Sequence, residues 1–326
     1  MKVVVTGGAG YIGSHTAREL RRQGHSVALF DNLSTGHAFL ARGFDLTVGD
    51  LRDDAKLTAT LDGADAVIHF AALACVADSV RNPRPYFDNN VRAGLNLLDA
   101  CVDCGVKYVV FSSTSAIYGV PKSVPITEDM PSSPVNPYGT SKLLVENALK
   151  AYDEAYGLRY VALRYFNAAG ADPGGEVGEL HDPETHLVPL ALRAADCGEA
   201  LEIYGADYPT PDGTCVRDYV HVTDLARAHA LALDYLAGGG RSDVLNLGTG
   251  VGYSVKQIVD AVARVTGRPV PQRVGSRRPG DPPILVASAE RARTTLGWQH
   301  QYALDDMIAT AWRWMKTHAA VAGAGR

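Results

Sequence analysis

Cysteine is scarce in this sequence, and its number is odd. Five cysteines are spread over 326 residues, whereas small proteins held together by disulfides are dense in cysteine and pair it. The composition therefore excludes a disulfide scaffold, and we expect a protein of the reducing cytoplasm. Cys101 and Cys104 form a CxxC pair inside a helical pattern, not at a helix start after a strand. We predict two small buried residues there instead of a redox site.

Long apolar runs and a surplus of charge of one sign are also missing. No apolar stretch approaches the ~20 residues of a membrane-spanning helix, and a strand pattern begins at Lys2, which leaves no room for a signal peptide. Lys and Arg number 31 against 36 Asp and Glu, so the basic surplus that nucleic-acid binding needs is absent. We expect neither a membrane nor a nucleic-acid partner.

The ten histidines are scattered and form no obvious metal-binding motif. His181 and His186 share a polar loop, but no cysteine or third histidine lies nearby in the sequence. Zinc sites are usually read from such ligands at fixed spacing. We therefore expect no metal site.

A glycine-rich turn between a strand and a helix is present at the start of the chain. The strand pattern Lys2–Thr6 is followed by Gly7, Gly10 and Gly13, and then by a helical pattern from Ser14 to Arg22. The first glycine permits the tight turn, the second lets a pyrophosphate approach the backbone, and the third allows close helix–strand packing. The helix N-terminus offers free N–H groups to the phosphates. The pattern predicts a dinucleotide site.

A carboxylate at the end of the second strand points to the type of dinucleotide. Asp31 follows the strand pattern Ser26–Phe30, where it can hydrogen-bond both ribose hydroxyls and would repel a 2′-phosphate. No arginine follows in Asn32, Leu33, Ser34, Thr35 or Gly36 to accommodate such a phosphate. We predict NAD as the cofactor.

Strand and helix patterns alternate regularly over residues 1–165. This alternation predicts an α/β fold with a doubly wound parallel Rossmann sheet. A Gly-, Pro- and Asp-rich loop then begins at Asn167, and a smaller, interleaved C-terminal substrate domain follows. We assign residues 1–167 and about 216–249 to the first domain, with the strands 216–222 and 244–247 returning to its sheet. The second domain comprises about 168–215 and 250–318, and 319–326 form a flexible tail.

Tyr138 and Lys142 form a candidate proton-transfer pair. They stand four residues apart, on one face of a helix whose apolar pattern we place at Ser141–Tyr156. A neighbouring cation favours the phenolate, so we expect Lys142 to lower the pKa of Tyr138. Thr114 follows the predicted strand Lys107–Ser113. At the carboxyl edge of a parallel sheet, it is placed to hold a substrate hydroxyl or to cap the strand end.

Further motifs resemble one known family over nearly the whole chain. They are TGGAGYIG at 6–13, DNLSTG at 31–36, HFAA at 69–72, NNV at 89–91, SST and AIYG within 112–119, NPYGTSK at 136–142, RYFNAAGADP at 164–173, YPTPDGTCVRDYVHVTDLA at 208–226, LNLGTG at 245–250 and RRPGDP at 277–282. With these motifs the chain resembles the extended short-chain dehydrogenase/reductases and, within them, the 4-epimerases of UDP-glucose and UDP-galactose.

The resemblance implies a reversible epimerisation at C4 through a transient 4-keto sugar, with tightly bound NAD. It implies catalytic roles for Tyr138, Lys142 and Thr114, and it extends to UDP-N-acetylhexosamines as further substrates. The implied cofactor residues are Gly7, Gly10, Tyr11, Ile12, Gly13, Asp31, Asn32, Leu33, Ser34, Thr35, Gly36, Asp50, Leu51, Phe70, Ala71, Ala72, Asn89, Ser112, Tyr138, Lys142 and Phe166. The implied substrate residues are Thr114, Tyr138, Asn167, His186, Leu187, Ile203, Tyr204, Arg217, Arg278, Asp281 and Leu285.

The sequence departs from the family pattern at two places. Ala74 stands where many relatives carry a lysine at the nicotinamide ribose, which leaves Lys142 as the only ammonium there. Thr185-His186-Leu187 replaces the Asn-Asn-Leu of many relatives at the sugar phosphate. The resemblance also implies a homodimer that pairs the helices 83–104 and 141–156.

Three other functions are weighed against this epimerase. A nucleotide-sugar 4,6-dehydratase needs an acidic pair after the active-site threonine, and Ser115-Ala116 stand here instead. A 4-epimerase of UDP-pentoses stays open. A non-catalytic NAD-sensing regulator commonly lacks the Tyr/Lys pair, which this chain has.

Overall fold

The structure is a computed structural model that describes residues 1–278 and 281–323. The strands are β1 (Lys2–Thr6), β2 (Ser26–Asp31), β3 (Asp45–Val48), β4 (Ala66–His69), β5 (Tyr108–Thr114), β6 (Arg159–Tyr165), β7 (Asn167–Ala169), β8 (Leu201–Tyr204), β9 (Val216–His221), β10 (Asp243–Leu247), β11 (Gly252–Ser254), β12 (Gln272–Gly275) and β13 (Ile284–Leu285). The helices are α1 (Tyr11–Arg22), α2 (Asp54–Leu61), α3 (Val76–Arg81), α4 (Arg84–Tyr86), α5 (Ala93–Asp103), α6 (Pro137–Tyr156), α7 (Leu187–Cys197), α8 (Val222–Ala237), α9 (Val255–Thr266), α10 (Glu290–Leu296) and α11 (Leu304–Gly323).

Seven parallel strands form the main sheet, in the order β10-β6-β5-β4-β1-β2-β3. The predicted α/β doubly wound sheet is confirmed. The chain winds outward from β1 through β2 and β3, and then restarts at β4 on the other side of β1. The strand order therefore reverses between β1 and β4, and such a switch point is where ligands bind in open α/β sheets.

Side chains of the main sheet alternate between two apolar clusters, because successive residues of a strand point to opposite faces. Val3 and Val5 join one cluster with Leu20 of α1 and Leu233 of α8. Val4 joins the other, with Leu57 of α2, Leu97 of α5 and Val145 of α6. Both faces are thus covered by helices, which explains why these strands are apolar on both sides.

The second lobe is built on a four-stranded sheet, in which β9 pairs with β7, β11 and β13, and on the pair β8–β12. Helices α7, α9 and α11 pack around a third apolar cluster there. The predicted return of residues 216–222 to the main sheet is wrong, since β9 (Val216–His221) pairs only within the smaller sheet among the described residues. The predicted return of 244–247 is confirmed by β10, which pairs with β6.

Other boundaries differ from the predicted ones in detail. The predicted helix 83–104 is divided by a π-helical turn at Phe87–Arg92, between α4 and α5. The helix expected at Ser141 begins at Pro137, so Tyr138 lies in its first turn. Helix α11 continues through Gly323, into the segment expected as a tail, and residues 324–326 lie outside the described part. Within 1–278 and 281–323, no helix has the length and apolar character needed to cross a membrane.

Candidate functional site

The predicted cofactor residues gather at the carboxyl edge of the main sheet. Gly7, Gly10, Tyr11, Ile12 and Gly13 follow β1, Asp31–Gly36 end and follow β2, Asp50 and Leu51 follow β3, Phe70, Ala71 and Ala72 follow β4, Ser112 lies near the end of β5, and Phe166 follows β6. Asn89 lies in the π-helical turn. The residues thus surround the switch point between β1 and β4.

The turns after β1 and β4 approach each other so closely that only glycine fits. A Cβ on Gly7 would lie 2.6 Å from the amide nitrogen of Ala71, and its φ of +71° favours glycine in any case. A Cβ on Gly13 would lie 2.2 Å from the carbonyl oxygen of Gly7. A side chain at either position would therefore collide with neighbouring backbone.

The N-terminus of α1 is free to meet an anion. Its N-cap residue is Gly10, which has no side chain to cap the first amides, and its first turn carries no acidic residue. The first backbone N–H groups of a helix attract a phosphate through their partial positive charge. The turn and helix together fit the pyrophosphate of a dinucleotide.

The carboxylate of Asp31 is fixed by the backbone around it. It accepts hydrogen bonds from the amide of Ala9 at 2.9 Å and from the amide of Leu33 at 2.8 Å. These two bonds lower the pKa of Asp31, but burial outweighs them and raises it above its ordinary value. A carboxylate has about four lone-pair sites, so two remain for ribose hydroxyls. This donor set fits NAD.

Two further predicted cofactor residues, Asp50 and Asn89, have hydrogen-bond partners within the protein. Asp50 forms a bidentate pair with Arg52, with both contacts at 2.7 Å, and this guanidinium holds its pKa well below the usual range. Asn89 is only half-buried, whereas its neighbour Asn90 is buried and bridges the amide and carbonyl of Leu73 to the hydroxyl of Ser141. Asn90, and not the predicted Asn89, therefore links the helix to the backbone of Leu73 and to Ser141. Both residues belong to the NNV motif.

Helix α6 is pressed against the end of β5, and this contact positions Tyr138. Asn136 caps the helix by accepting a 2.8 Å bond from the amide of Gly139, and Pro137 occupies the first helical position. A Cβ on Gly139 would lie 2.7 Å from the carbonyl oxygen of Ala116. Glycine thus lets the helix start meet the turn after Thr114, and the Thr114 hydroxyl is close enough to the phenol of Tyr138 to act on its pKa.

Lys142 is directed at the strand and not at the phenol. Its Nζ donates a 2.9 Å hydrogen bond to the carbonyl oxygen of Ser112. Burial lowers the pKa of Lys142 to about 7, although the nearby charge of Glu146 acts in the opposite direction.

The pKa of Tyr138 is raised, because its burial outweighs the hydrogen bond from Thr114. The prediction that Lys142 lowers the pKa of Tyr138 is therefore wrong for the protein without bound cofactor. The physical reason is desolvation, which disfavours the charged form of both members of the pair.

A buried polar network below Lys142 was missed by the sequence analysis. Arg164 on β6 donates to Glu146 at 3.0 and 2.5 Å and to the hydroxyl of Tyr118 at 2.9 Å. Tyr118 in turn donates to Asn246 at 2.7 Å. Glu146 lies one turn after Lys142 on α6, so a carboxylate at this helical spacing was the available signal.

Three predicted substrate residues of the second lobe, Arg217, Asp281 and Leu285, come together around β9. Arg217 donates a 2.7 Å bond to Asp281, and it is the register partner of Leu285 on β13. The guanidinium of Arg278 lies 3.9 Å from the ring centroid of Tyr204. The second lobe thus carries one guanidinium paired with a carboxylate beside β9, and a second guanidinium stacked on the ring of Tyr204 at the end of β8.

Asn167 is tied to this sheet through the residue after Arg217. Its side-chain amide donates a 2.9 Å bond to the carbonyl oxygen of Asp218. The buried Asp218 carboxylate accepts from the amides of Thr249, Gly250 and Ala287. In the sequence Asp218 stands out only as part of a motif, and the structure shows that it joins β9 to two loops, one with Thr249 and Gly250 and one with Ala287.

The side chains of three further predicted substrate residues contact other parts of the protein instead of lining the region around β9. Ile203 is 2% exposed and Leu187 packs on the third apolar cluster, so both support the lobe from inside. His186 stands at the start of α7, where its Nδ1 contacts Glu179. Its direct partner is a carboxylate.

Comparison with known proteins places these features in a family. Residues 3–248 match the NAD dependent epimerase/dehydratase family. The UDP-glucose 4-epimerase of Halalkalibacterium halodurans is 49% identical over 322 residues, which cover 98% of this chain and 96% of that protein.

Two solved structures have the same fold over almost their whole length. The UDP-glucose 4-epimerase from Brucella ovis in complex with NAD is 52% identical, with a TM-score of 0.93 over 96% of this chain and 98% of that one. The UDP-glucose 4-epimerase from Stenotrophomonas maltophila, with bound NAD and formylated UDP-arabinopyranose, is 40% identical, with a TM-score of 0.95 over 98% and 99%.

Proposed function

The chain belongs to the NAD dependent epimerase/dehydratase family, and we propose that it interconverts UDP-glucose and UDP-galactose by epimerisation at C4 with tightly bound NAD. The single observation that carries this proposal is the meeting of Thr114, Tyr138 and Lys142 at the carboxyl end of β5. This catalytic arrangement lies in a chain of which 98% is covered by a 49% identical UDP-glucose 4-epimerase.

NAD, when bound, accepts the hydride from C4 of the sugar and returns it, and its oxidised form brings a positive charge. The residues at the carboxyl edge hold it: the turn at Gly7–Gly13 and the start of α1 take the pyrophosphate, and Asp31 takes the ribose hydroxyls. Lys142 holds the nicotinamide ribose. Because Ala74 offers no ammonium, Lys142 does this alone.

Tyr138 moves the proton of the reaction. Its phenolate oxygen takes the proton from the sugar 4-OH and gives it back to the 4-keto sugar. Burial raises its pKa, so positive charge at the site must favour the phenolate before the proton can be taken. Thr114 donates to the same reacting oxygen and keeps it in line with the phenol.

The second lobe binds the nucleotide part of the substrate. Arg217 and Arg278 meet the phosphates of UDP, a task suited to the fork of donors on a guanidinium. The pair between Arg217 and Asp281, at 2.7 Å, keeps that arginine oriented while Asp281 retains an oxygen for a hydroxyl. Asn167 contacts the sugar, and Tyr204 lies beside Arg278. Leu187 and Ile203 support this region from inside the lobe, and His186 is held by Glu179 at the start of α7. Leu285 borders the C2 substituent of the sugar. UDP-N-acetylhexosamines, which carry an acetamido group at C2, are therefore included among the proposed substrates.

UDP-pentoses are a second candidate substrate class. The Stenotrophomonas maltophila structure, 40% identical to this chain, carries a formylated UDP-arabinopyranose. A pentose lacks C6 but presents the same 4-OH to Tyr138. The same residues would therefore perform the same C4 chemistry.

Two copies of the chain pair through α5 and α6 in this proposal, and the protein works in the cytoplasm. Leu144 and Tyr156 on α6 and Phe87 beside α5 are large apolar residues exposed on the single chain. A second copy would cover them. All five cysteines are free, which fits a reducing compartment. Sedimentation of the parent and of Leu144→Glu tests the pairing, since a monomeric parent would contradict it.

The activity is tested with the purified full chain. We expect NAD to co-purify, and UDP-galactose to be converted to UDP-glucose without added cofactor. UDP-arabinopyranose is assayed in parallel, so that a pentose-specific enzyme is recognised. Absence of conversion of either sugar, with NAD supplied and the fold intact, would contradict the proposal.

A further inference from the structure

The loop between β7 and α7 gathers four side chains that bind metals in other proteins. Glu179, His181, Glu184 and His186 lie within eight residues of sequence, and their nearest donor atoms all lie within 4.8 Å of one another. In the sequence only the two histidines stand out, and the fold adds the two glutamates. Its expectation of no metal rested on the lack of a third histidine or cysteine.

We propose that these four residues bind one divalent transition-metal ion, zinc in the first place. The donor set would be the Nδ1 atoms of the two imidazoles and one oxygen from each carboxylate. Mixed nitrogen and oxygen ligands in a set of four suit zinc, whereas calcium and magnesium prefer six or more oxygen ligands.

The distances are close to those of a four-coordinate site. Nδ1 of His181 lies 3.1 Å from Oε1 of Glu179 and 3.8 Å from Oε2 of Glu184. Nδ1 of His186 lies 3.7 Å from Oε1 of Glu184 and also contacts Glu179. Bonds of about 2.0–2.2 Å to a tetrahedral ion place neighbouring donors roughly 3.3–3.6 Å apart. Small side-chain rotations would therefore bring all four atoms to one ion.

The carboxylates are held in place by the structure around them. The side chains of Glu179 and Glu184 are 7% and 13% exposed. Glu184 accepts bonds from the amides of Thr185 and His186 at 2.7 and 2.8 Å, and the carbonyl oxygen of Glu179 accepts a 2.8 Å bond from the indole of Trp314. Such supporting bonds orient ligands and are a regular part of metal sites.

The competing explanation is a cluster of ion pairs without metal. Two protonated imidazoles would balance the two carboxylates, with His181 donating to Glu179 and lying 3.8 Å from Glu184. The two explanations differ in what happens when a metal is offered. An ion competes with the protons for the same Nδ1 atoms.

The position of the cluster gives the ion a structural role. The ring of Tyr11, in the turn that takes the pyrophosphate, packs edge-on against His181, and the ring nitrogen Nε2 of His37 lies 3.1 Å from the carbonyl oxygen of Leu180. On the other side, His186 leads directly into α7. A bound ion would hold this loop between the cofactor turn and the helix of the second lobe.

The test uses the full chain after treatment with a chelator and dialysis into metal-free buffer. Zinc is titrated back, and bound metal is counted by elemental analysis, with cobalt as a spectroscopic substitute. We expect one ion per chain, and a thermal midpoint that rises with zinc concentration because the ion binds only the folded state. Cobalt should give the visible absorption of a low-symmetry site with nitrogen and oxygen ligands.

Two variants and a matched control decide the assignment. His181→Ala and the milder Glu184→Gln should each weaken zinc binding by at least about 10-fold and reduce the thermal shift. His300→Ala removes an exposed histidine outside the loop and should leave both unchanged. Less than stoichiometric zinc in the parent, or equal affinity in all four proteins, would overturn the proposal and leave the ion-pair cluster. If His181→Ala fails to fold, Glu184→Gln and the cobalt spectrum still decide.

Discussion

Lys142 is hydrogen-bonded to the backbone of Ser112, with its Nζ donating to the carbonyl oxygen at 2.9 Å. This bond fixes the ammonium two residues before Thr114 on the same strand, while the main chain of α6 fixes Tyr138 one turn earlier. The three groups are therefore held at the contact between β5 and α6. The burial that fixes them also disfavours charge on Lys142 and Tyr138, and it gives the stability of the protein a pH dependence through Lys142.

Tyr138→Phe should abolish most of the turnover without changing the fold. The substitution removes only the hydroxyl that exchanges the proton, and loss of such a group costs at least ~100-fold in rate. Turnover of UDP-galactose and the amount of bound NAD are measured together. Tyr152→Phe, on the same helix with its hydroxyl on Asp99, is the control and should keep its turnover. A Tyr138→Phe enzyme with near-normal turnover would contradict the role.

Lys142→Met should change the pH dependence of stability. Burial lowers the pKa of Lys142 from 10.5 to about 7, so between these values the unfolded chain binds the proton that the folded chain has lost. The free energy of unfolding of the parent therefore rises with pH across this window. The variant lacks this dependence, and its stability relative to the parent should be highest below pH 7 and fall towards 10.5.

The measurement is chemical unfolding of the cofactor-free parent and the variant at a series of pH values. Lys150→Met controls for the loss of a lysine from the exposed face of the same helix. A stability difference that stays constant between neutral and alkaline pH would show that Lys142 is not desolvated.

Asp31→Asn should weaken the binding of NAD and reduce the preference of the protein for NAD over NADP. The amide keeps the shape of the side chain but loses the charge that binds ribose hydroxyls and repels a 2′-phosphate. Hydrogen bonds to a charged group contribute about 1.5–3 kcal/mol, so NAD affinity should fall by about 10- to 100-fold. Calorimetric titration of both cofactors into stripped protein measures the change, with Asp45→Asn as an exposed control. An unchanged ratio of the two affinities would refute the assignment.

Glu146→Gln should destabilise the protein strongly. The carboxylate is 5% exposed and pairs with the guanidinium of Arg164 at 2.5 Å. Its loss leaves a buried positive charge without a partner, which typically costs about 3–5 kcal/mol. Urea unfolding measures the loss. Glu202→Gln, which breaks the exposed pair with Arg273, should cost less than about 1 kcal/mol. Equal effects of the two substitutions would mean that the buried pair is not special.

Leu285→Tyr should lower activity on UDP-N-acetylglucosamine more than on UDP-glucose. Leu285 is half-buried and packs against the small apolar cluster that contains Phe166 and Ile117, and a larger ring there would crowd an acetamido group at C2. Overpacking costs ~1–3 kcal/mol, a factor of about 5–150 in the preference. Both activities and the thermal midpoint are measured in parent and variant. If both activities fall alike and the midpoint falls with them, Leu285 supports the lobe and does not select the sugar.

The sequence was sufficient for the features that depend on local chemistry. The glycines at 7, 10 and 13 and the carboxylate at 31 indicated a dinucleotide turn, and the structure has that turn at the switch point of the sheet. The backbone conformation and close approach at Gly7 leave little choice of residue. Such positions can be predicted because the constraint lies within a few residues of the chain.

Partner choice and desolvation could not be predicted in the same way. An apolar strand pattern shows burial but not which sheet provides the neighbour, and β9 therefore was assigned to the wrong sheet. Helical spacing placed Tyr138 and Lys142 on one face, but it contains no information about how far water is excluded from them. The loop at 179–186 folds so that two glutamates meet two histidines, and only the alternation E-x-H-x-x-E-x-H hinted at this.

The late return of β10 to the main sheet has a consequence for biosynthesis. β6 ends at Tyr165, but the strand that covers its outer side begins at Asp243, after much of the second lobe. Until the ribosome has added that strand, the nascent chain carries an unpaired edge whose residues Tyr160 to Tyr165 are apolar or buried in the finished protein. Open edges of this kind recruit other strands. The dinucleotide-binding sheet therefore closes late in translation, and its N-terminal part depends on the rest of the chain, or on a chaperone, for protection.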